Sequence, residues 1–492
     1  MVRFLLKHYL LEHRRRVRWS VLNPLEAQEA VFRRLKSQLG DSSAAQTSGF
    51  ARCRTLEDCR QLPVSDGDLL RPVFRAIFQS GGEFFGRSPI MGFARTSGTF
   101  AEPKDIPLTR AYLESLDRTL VRMVACQLSA TEDWKTVLAG RQITIGSRPY
   151  VCHSPTGLPV CDISGLIPTR TWKSLRRFYI PNHRNLWIEN WEEKIDLIIR
   201  EAHGKDVHTV SGIPALVSDF ARRACETHKV ENLSQLWPNL RHFIYGGGQL
   251  SREQRADFTR RWFRPGHRLH FTETYFATEG ALGFSYDPGH DGLALNSLEN
   301  LYLFRDEDGG VFFAHEIQAG KRYSIYITTP GGLINYRMYD RVLVVSERPL
   351  LIQVVGREKE EISLTGERVS VEQIDLALRA AGITEEIYGQ HLPVVWVEKE
   401  EKPRFVWGIS DAACTPQAEW ARRLDDELAR LNPLFAEALL RERVIGPSKI
   451  VSISHRLFEN RLRESLGRAQ YKQRRVFDSY TEFVSVFGTG EG

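Results

Sequence analysis

The sequence predicts an α/β protein in two parts. A large N-terminal α/β body carries a small β-barrel-like subdomain, and a smaller α+β C-terminal domain follows. Three observations carry this reading. Between about 140 and 280, strand-like and helix-like stretches alternate, the pattern of a sheet covered by helices. From 299 to 355 the apolar period drops to two, as in antiparallel strands. Past Gly356 the texture changes to a compact mixture of strands and helices. The expected boundaries are 1–356 for the body, with 299–355 as its β-rich part, and 357–492 for the second domain.

The start of the chain, M-V-R-F-L-L-K-H-Y-L-L-E-H-R-R-R, mixes charge among its apolar positions, which suits an amphipathic helix packed on the body rather than a signal peptide. Asn23-Pro24-Leu25-Glu26 reads as a helix start, with Asn as the cap and Pro in the first turn. Val31, Leu35 and Leu39 continue at helical spacing, and Ser42 to Ser48 reads as a loop. After a polar stretch at Thr96–Lys104, Leu113, Leu116, Leu120, Val124 and Leu128 predict a helix beginning near Thr109. Arg118 and Arg122 on it read as solvated.

Gln142–Gly146 reads as a strand, and Ile195, Ile198 and Ala202 as a helix ended by Gly204. Leu240–Tyr245 is a strand that enters three glycines, and Ser251 to Gln254 offers a capping box. His267–Thr272 is the next strand. Leu301–Phe304 and Val311–Ala314 flank a turn at Asp306–Gly310. Further strands are expected at Tyr323–Thr328, Val342–Val345 and Leu351–Val355. In the last part a helix over Val371, Ile374 and Leu378 precedes strands at Val394–Val397 and Arg404–Ile409. A helix over Trp420, Leu424, Leu428 and Leu431 and a strand near Ile450–Ile453 complete it.

Composition excludes several classes of protein. Apolar residues make up 42% and charged residues 26%, as in ordinary globular proteins. The net charge of +6 permits an anionic ligand without demanding nucleic acid. No run approaches the ~18 apolar residues of a membrane span. The seven cysteines, at 53, 59, 126, 152, 161, 225 and 414, show neither C-x-x-C nor metal-ligand spacing. They fit a reducing cytoplasm better than a disulfide scaffold.

The stretch T-S-G-T-F-A-E-P-K, Thr96–Lys104, packs small hydroxyl residues, a glycine and a lysine into nine positions. Small residues let backbone N–H groups approach an anion, hydroxyls add donors, and lysine adds a charge. It is not a Walker loop, because the glycine spacing is wrong. A plain polar loop is the competing reading.

Several separated stretches carry a family resemblance together. T-S-G-T-F-A-E-P-K resembles the T/S-S-G-T-T-G-x-P-K loop of the adenylate-forming enzymes, the superfamily of acyl-CoA synthetases, peptide adenylation domains and luciferases. Tyr245–Leu250 (Y-G-G-G-Q-L) and Glu273–Gly280 (E-T-Y-F-A-T-E-G) resemble its glycine turn and adenine motif. Tyr336–Asp340 (Y-R-M-Y-D) resembles Y-R-x-G-D, and Gly356–Val369 (G-R-E-K-E-E-I-S-L-T-G-E-R-V) resembles the hinge before a mobile C-terminal domain. I-P-L-T after the loop, I-S-L-T-G-E-R, and Gln470–Arg475 (Q-Y-K-Q-R-R) look most like the acyl-acid amido synthetases, known for joining auxin or jasmonate to amino acids.

The resemblance implies an adenylate-forming fold, ATP and Mg2+ as cofactors, and a small carboxylic acid and an amine, an amino acid, as substrates. It implies no nucleic-acid or membrane partner. Ser97, Gly98, Thr99 and Lys104 would hold the β- and γ-phosphates, and Glu279 the metal. Gly247, Gly248, Tyr275 and Thr278 would surround the adenine. Asp340 would accept the ribose hydroxyls, and Arg357 would contact ribose or α-phosphate near the hinge. Lys472 would bridge the acyl carboxylate and α-phosphate, against the plainer reading of a solvated basic tail. An acyl pocket is expected between the helix after the loop and Ser211–Leu216. Three departures stand out: Phe100 replaces a small hydroxyl residue, Tyr339 replaces glycine, and Arg474 stands where the ending often has proline. An acyl-CoA ligase, a carrier-loading enzyme and a catalytically impaired nucleotide binder are the alternatives.

Overall fold

The computed structural model describes residues 2–488 except 83–84, 97–103, 130–139, 147, 171–175, 183, 189, 248–249, 288–289, 359, 366, 385–391, 401, 412–417 and 467–472. The chain folds as two compact units, one running from the N-terminus to Val354 and the other starting at Val355.

The first unit opens with helices α1 (Val2–Leu22) and α2 (Pro24–Leu39). Proline starts α2 as expected, but Asn23 does not cap it. Its side-chain amide donates instead to the Trp19 carbonyl at 2.9 Å, closing the end of α1. The Ser42–Ser48 loop reading is corrected: Ser43–Ser48 is a short helix, capped by the Ser42 hydroxyl and ended by left-handed Gly49. A run of small polar residues hides such a helix, because it has no apolar period.

Strands β1 (Ile90–Arg95) and β2 (Asp105–Thr109) pair antiparallel, and helix α3 (Arg110–Ser129) follows at once. The I-P-L-T segment is therefore a strand, and the small-residue loop joins two strands rather than a strand and a helix. Thr96 and Lys104 close its neck: the Thr96 N–H donates to the Lys104 carbonyl at 2.9 Å, and the Lys104 N–H donates to the Thr96 hydroxyl at 2.9 Å. Leu10, Val17 and Val21 of α1 belong to the apolar clusters that hold Met123, Ala125 and Cys126 of α3.

Twelve strands build the main sheet: β3 (Arg141–Thr144), β4 (Tyr179–Ile180), β5 (Val207–Gly212), β6 (His242–Gly246), β7 (His270–Ala277), β8 (Gly280–Ser285), β9 (Leu293–Leu295), β10 (Leu301–Arg305), β11 (Val311–Phe313), β12 (Arg322–Thr328), β13 (Tyr336–Glu347) and β14 (Leu350–Arg357). Their order is β11-β10-β12-β13-β14-β9-β8-β7-β6-β5-β3-β4. From β4 to β7 the pairs are parallel, with helix α4 (Pro214–His228) after β5 and α5 (Arg252–Trp262) after β6. The remaining pairs with a recorded register are antiparallel. The β-rich part is thus continuous with the body's sheet, joined through the Leu293–Ile352 pair. The strand expected at His267 begins at His270, because residues 263–269 form a turn in which His267 stacks on Phe263.

Arg118 and Arg122 are also corrected. They converge on Glu299, which is fully buried. Arg118 grips both of its oxygens at 2.9 and 2.7 Å, and Arg122 donates at 2.7 Å. Arg34 adds a contact at 3.5 Å and donates to the Glu299 carbonyl at 3.0 Å. Burial alone would raise the Glu299 carboxyl, but the Arg118 hydrogen bonds and the Arg122 and Arg34 charges hold it below the usual value.

The second unit holds helix α6 (Val371–Ala380), strands β15 (Val394–Glu398) and β16 (Arg404–Ser410), helix α7 (Ala418–Leu431), and strands β17 (Lys449–Ile453) and β18 (Val476–Phe477). Its sheet order is β17-β16-β15-β18. Every strand and helix expected there is present. Helices His455–Leu466 and Tyr480–Phe487 are additional.

Candidate functional site

The carboxyl ends of parallel strands, where backbone turns away from the sheet, are the usual place for a ligand in this architecture. At the end of β6, Gly247 has φ +79°, a left-handed turn that glycine adopts at little cost. A Cβ at Gly246 would come within 2.5 Å of the Thr274 hydroxyl, so β6 and β7 approach closely there. The Thr274 hydroxyl donates to the Tyr245 carbonyl at 3.0 Å. The capping box read in the sequence then starts α5, with the Ser251 hydroxyl receiving the Gln254 N–H at 3.2 Å.

β7 leads into a turn at Thr278 and Glu279, with Thr278 buried and Glu279 half-buried. Three strands separate β7 from β13 in the sheet, yet the Tyr275 hydroxyl donates to Asp340 Oδ2 at 2.6 Å. The sheet therefore curls until these strands face each other. Beside this contact, the Tyr336 hydroxyl donates to Glu279 Oε1 at 3.4 Å.

Asp340 is placed by a bulge. Ser324 pairs with Arg341 and Tyr326 with Arg337, so three residues of β13 lie opposite one of β12. Tyr339 sits in that bulge with φ +60°, the conformation glycine would take without strain. Its hydroxyl donates to Asp66 Oδ2 at 2.5 Å, and Arg337 lies 4.8 Å from its ring centroid. The side chain is thus tied to the 65–68 segment, whereas Asp340 meets Tyr275.

That segment was not singled out by sequence. Ser65 pairs through its backbone with Asn335 and Arg337, at 3.1 and 2.8 Å. Asp66 Oδ1 receives the N–H groups of Asp68 and Leu69 at 2.9 and 2.8 Å. A Cβ at Gly67 would stand 2.0 Å from Lys104 Nζ and 2.8 Å from the Tyr336 hydroxyl oxygen, so only glycine leaves room for both. Lys104 Nζ lies 3.7 Å from Asp68 Oδ1, a loose ion pair. S-D-G-D reads in sequence only as a turn. Its role depends on a chain reversal that brings it beside residues 334–337.

Below the strand ends lies a buried polar triad. The Tyr245 hydroxyl donates to Glu273 Oε2 at 3.0 Å, and Arg255 Nη2 donates to that hydroxyl at 2.9 Å. Burial pushes the Glu273 carboxyl up to about 7, against the lowering effect of Tyr245 and Arg255.

Of the residues expected to form a site, the first unit brings Lys104 and Glu279 together around Tyr336 and Gly67. It also joins Tyr275 to Asp340, and places Thr278 and Gly247 at neighbouring strand ends. Ser97, Gly98, Thr99, Gly248 and Lys472 lie outside the described residues, as does Phe100. Arg357 ends β14 and belongs to the second unit. There Arg474 and Arg475, which the plainer alternative placed in a solvated basic tail, are paired. Arg474 meets Glu482 at 2.6 Å, and buried Arg475 meets Asp375. Among the described residues no group of His, Cys, Asp and Glu could hold a metal by itself, and no helix is long and apolar enough to cross a membrane.

The family model described as the GH3 family N-terminal domain matches residues 15–200, and the GH3 family central domain matches residues 299–357. Among solved structures, the chain is similar to a GH3.15 acyl acid amido synthetase, with a TM-score of 0.77 and 15% identity over 95% of this chain and 93% of that one. A structure of AtGH3.15 acyl acid amido synthetase in complex with 2,4-DB gives 0.76 and 15%, over 97% and 95%. A 2-hydroxyisobutyryl-CoA ligase in the postadenylation state, in complex with 2-HIB-AMP, gives 0.59 and 13%, over 97% and 90%. No curated protein matches. The fold is therefore the adenylate-forming fold, with little sequence left in common.

Proposed function

We propose that this chain, which belongs to the GH3 family, is an ATP-dependent acyl-acid amido synthetase acting on a small carboxylic acid and an amine, an amino acid. The observation that carries the reading is the meeting of Lys104, Glu279, Tyr275 and Asp340, contributed by separate stretches of the chain, where the curled sheet brings β7 and β13 face to face.

The chemistry asks for two displacements. The acid's carboxylate oxygen attacks the α-phosphorus of ATP, the bond to the bridging oxygen breaks, and pyrophosphate leaves. The amine nitrogen then attacks the acyl carbon, the bond to AMP breaks, and the nitrogen gives up a proton to solvent. Such a site must neutralise phosphate charge, align the attack and exclude water.

In this reading Lys104, with Ser97, Gly98 and Thr99, holds the β- and γ-phosphates. Asp340 accepts the ribose hydroxyls, and Gly247, Gly248, Tyr275 and Thr278 surround the adenine. Magnesium commonly uses one or two carboxylates when phosphate and water oxygens fill its other positions, so half-buried Glu279 fits that ion. Mg2+ bound with ATP would neutralise phosphate charge. Arg357 and Lys472 act from a second domain, from residue 357 on, that rotates between the two displacements. A cytoplasmic setting belongs to the same reading.

A pyrophosphate-release screen over carboxylic acids, followed by mass analysis of products with mixed amino acids, tests it. An amide product is expected. Pyrophosphate release with a CoA thioester and no amide would move the chain to the acyl-CoA ligases, the second reading, which the likeness to the 2-hydroxyisobutyryl-CoA ligase fold motivates. ATP binding without adenylate from any acid would overturn both. Lys472→Ala is expected to cut pyrophosphate release far more than ATP binding; equal loss of both would remove its assigned role.

A further inference from the structure

At the other end of β7 lies a cavity of about 680 Å³, between α5, the 263–269 turn and the start of the strand. β7 is eight residues long, on the order of 25 Å at the usual rise, so this place is separate from the Tyr275–Glu279 end. It is open to solvent rather than enclosed, and its volume falls in the range of ~300–1,000 Å³ typical of small-molecule sites. Arg255, Arg260, Arg264 and Arg268 line it together with His267 and His270, and no acidic residue does among the described ones.

These arginines are not equivalent. Arg255 is committed to Tyr245 and Glu273. Arg260 pairs with Asp257 at 3.3 Å and sits in the last turn of α5, where the helix dipole favours a cation. Arg264 and Arg268 lie beyond that helix. Both are exposed, and neither side chain has an ion pair or hydrogen bond among the described residues.

His267 lines the same place but is committed to the backbone. It is 8% exposed and its Nε2 lies 2.7 Å from the Leu240 carbonyl, while its Nδ1 is buried without a partner among the described residues. Burial, then the charges of Arg241 and Arg264, hold its ring below the usual pKa. Burial, Arg241 and Arg268 do the same for His270. Burial is the larger cause for both rings, and arginine charge adds to it.

We propose that this cavity is a second anion site, for a small ligand carrying more than one phosphate group. Guanidinium groups match phosphate oxygens two at a time, and Arg264 and Arg268 have that capacity unspent. The proposal does not rest on the synthetase reading.

The test is calorimetric titration of the full chain with inorganic tripolyphosphate, in a Lys104→Ala background so that the other phosphate-binding candidate is disabled. Saturable binding is expected there. Adding Arg264→Gln and Arg268→Gln is expected to weaken it at least about tenfold, while Arg264→Lys with Arg268→Lys, which keeps charge but loses the fork, falls between. The two positions are exposed, so melting temperatures are expected to match. If the glutamine pair nevertheless unfolds, the lysine pair alone carries the comparison. No binding in the Lys104→Ala background, or binding indifferent to the arginine changes, would overturn the proposal.

Discussion

Two charged clusters in the first unit use the same residue types in opposite ways. Around Glu299 three arginines close on one carboxylate that has no exposed surface, with three contacts of 2.7–2.9 Å. Around Lys104 the contacts are longer: 3.7 Å to Asp68, whose side chain is 56% exposed, and 3.4 Å between Tyr336 and Glu279. The first cluster is a strut, its carboxylate saturated by the protein. In the second, Lys104 and Tyr336 pack against Gly67, and the contacts recorded between its charged groups are long. Charge near a cleft therefore says little about function until the number and length of its contacts are known.

The largest effect should come from the strut. Glu299→Gln leaves buried Arg122 without its countercharge and is expected to cost roughly 3–5 kcal/mol in urea unfolding. Lys104→Ala should do the reverse. Stability is expected to change by less than about 1 kcal/mol, since a loose and half-exposed pair is worth little. Pyrophosphate release should fall by about a hundredfold or more. Equal destabilisation by both variants would erase the distinction.

The Glu273 triad sharpens the contrast through pH. Its carboxyl titrates near 7 in the folded chain and near 4.5 when unfolded, so the folded state binds the extra proton between those values. Stability from this group is greatest below about 4.5 and falls as pH rises through about 7, by on the order of 3 kcal/mol. Glu273→Gln is expected to remove that slope from unfolding curves measured between pH 5 and 8; an unchanged slope would assign it to other groups. Smallest is Tyr339→Phe, which loses the bond to Asp66 and is expected to cost about 1 kcal/mol. Tyr339→Gly loses the same bond but relieves a left-handed tyrosine worth about 1–2 kcal/mol, so it should melt close to the parent.

Much of the scaffold was legible because its signals are local. Alternating residues marked β10 to β14, glycines marked the end of β6, and Ser251 with Gln254 marked the start of α5. The second unit was legible for the same reason. What escaped depends on distant partners. Arg118 and Arg122 read as solvated because Glu299 lies far along the chain. Asp66 and Gly67 were not singled out because the residues they meet, 334–337, are distant in sequence. Tyr339 read only as a departure from the glycine of the motif it resembles. The left-handed bulge turns it toward Asp66, away from the Tyr275–Asp340 contact.

The bulge also fixes how the rest of its strand is read. Beyond it, Val342 and Val344 point into the core while Arg341 and Val345 do not. The bulge carries two residues more than the single one opposite it, an even number, so the alternation runs unbroken from Tyr336 to Val344. A chain shortened by one residue there, with both flanks still paired to β12, would have two residues opposite one and could no longer send Tyr339 to Asp66 and Asp340 to Tyr275 as it does now. Lineages of this protein should therefore vary the side chain at position 339 freely but keep the number of residues between Arg337 and Arg341 constant.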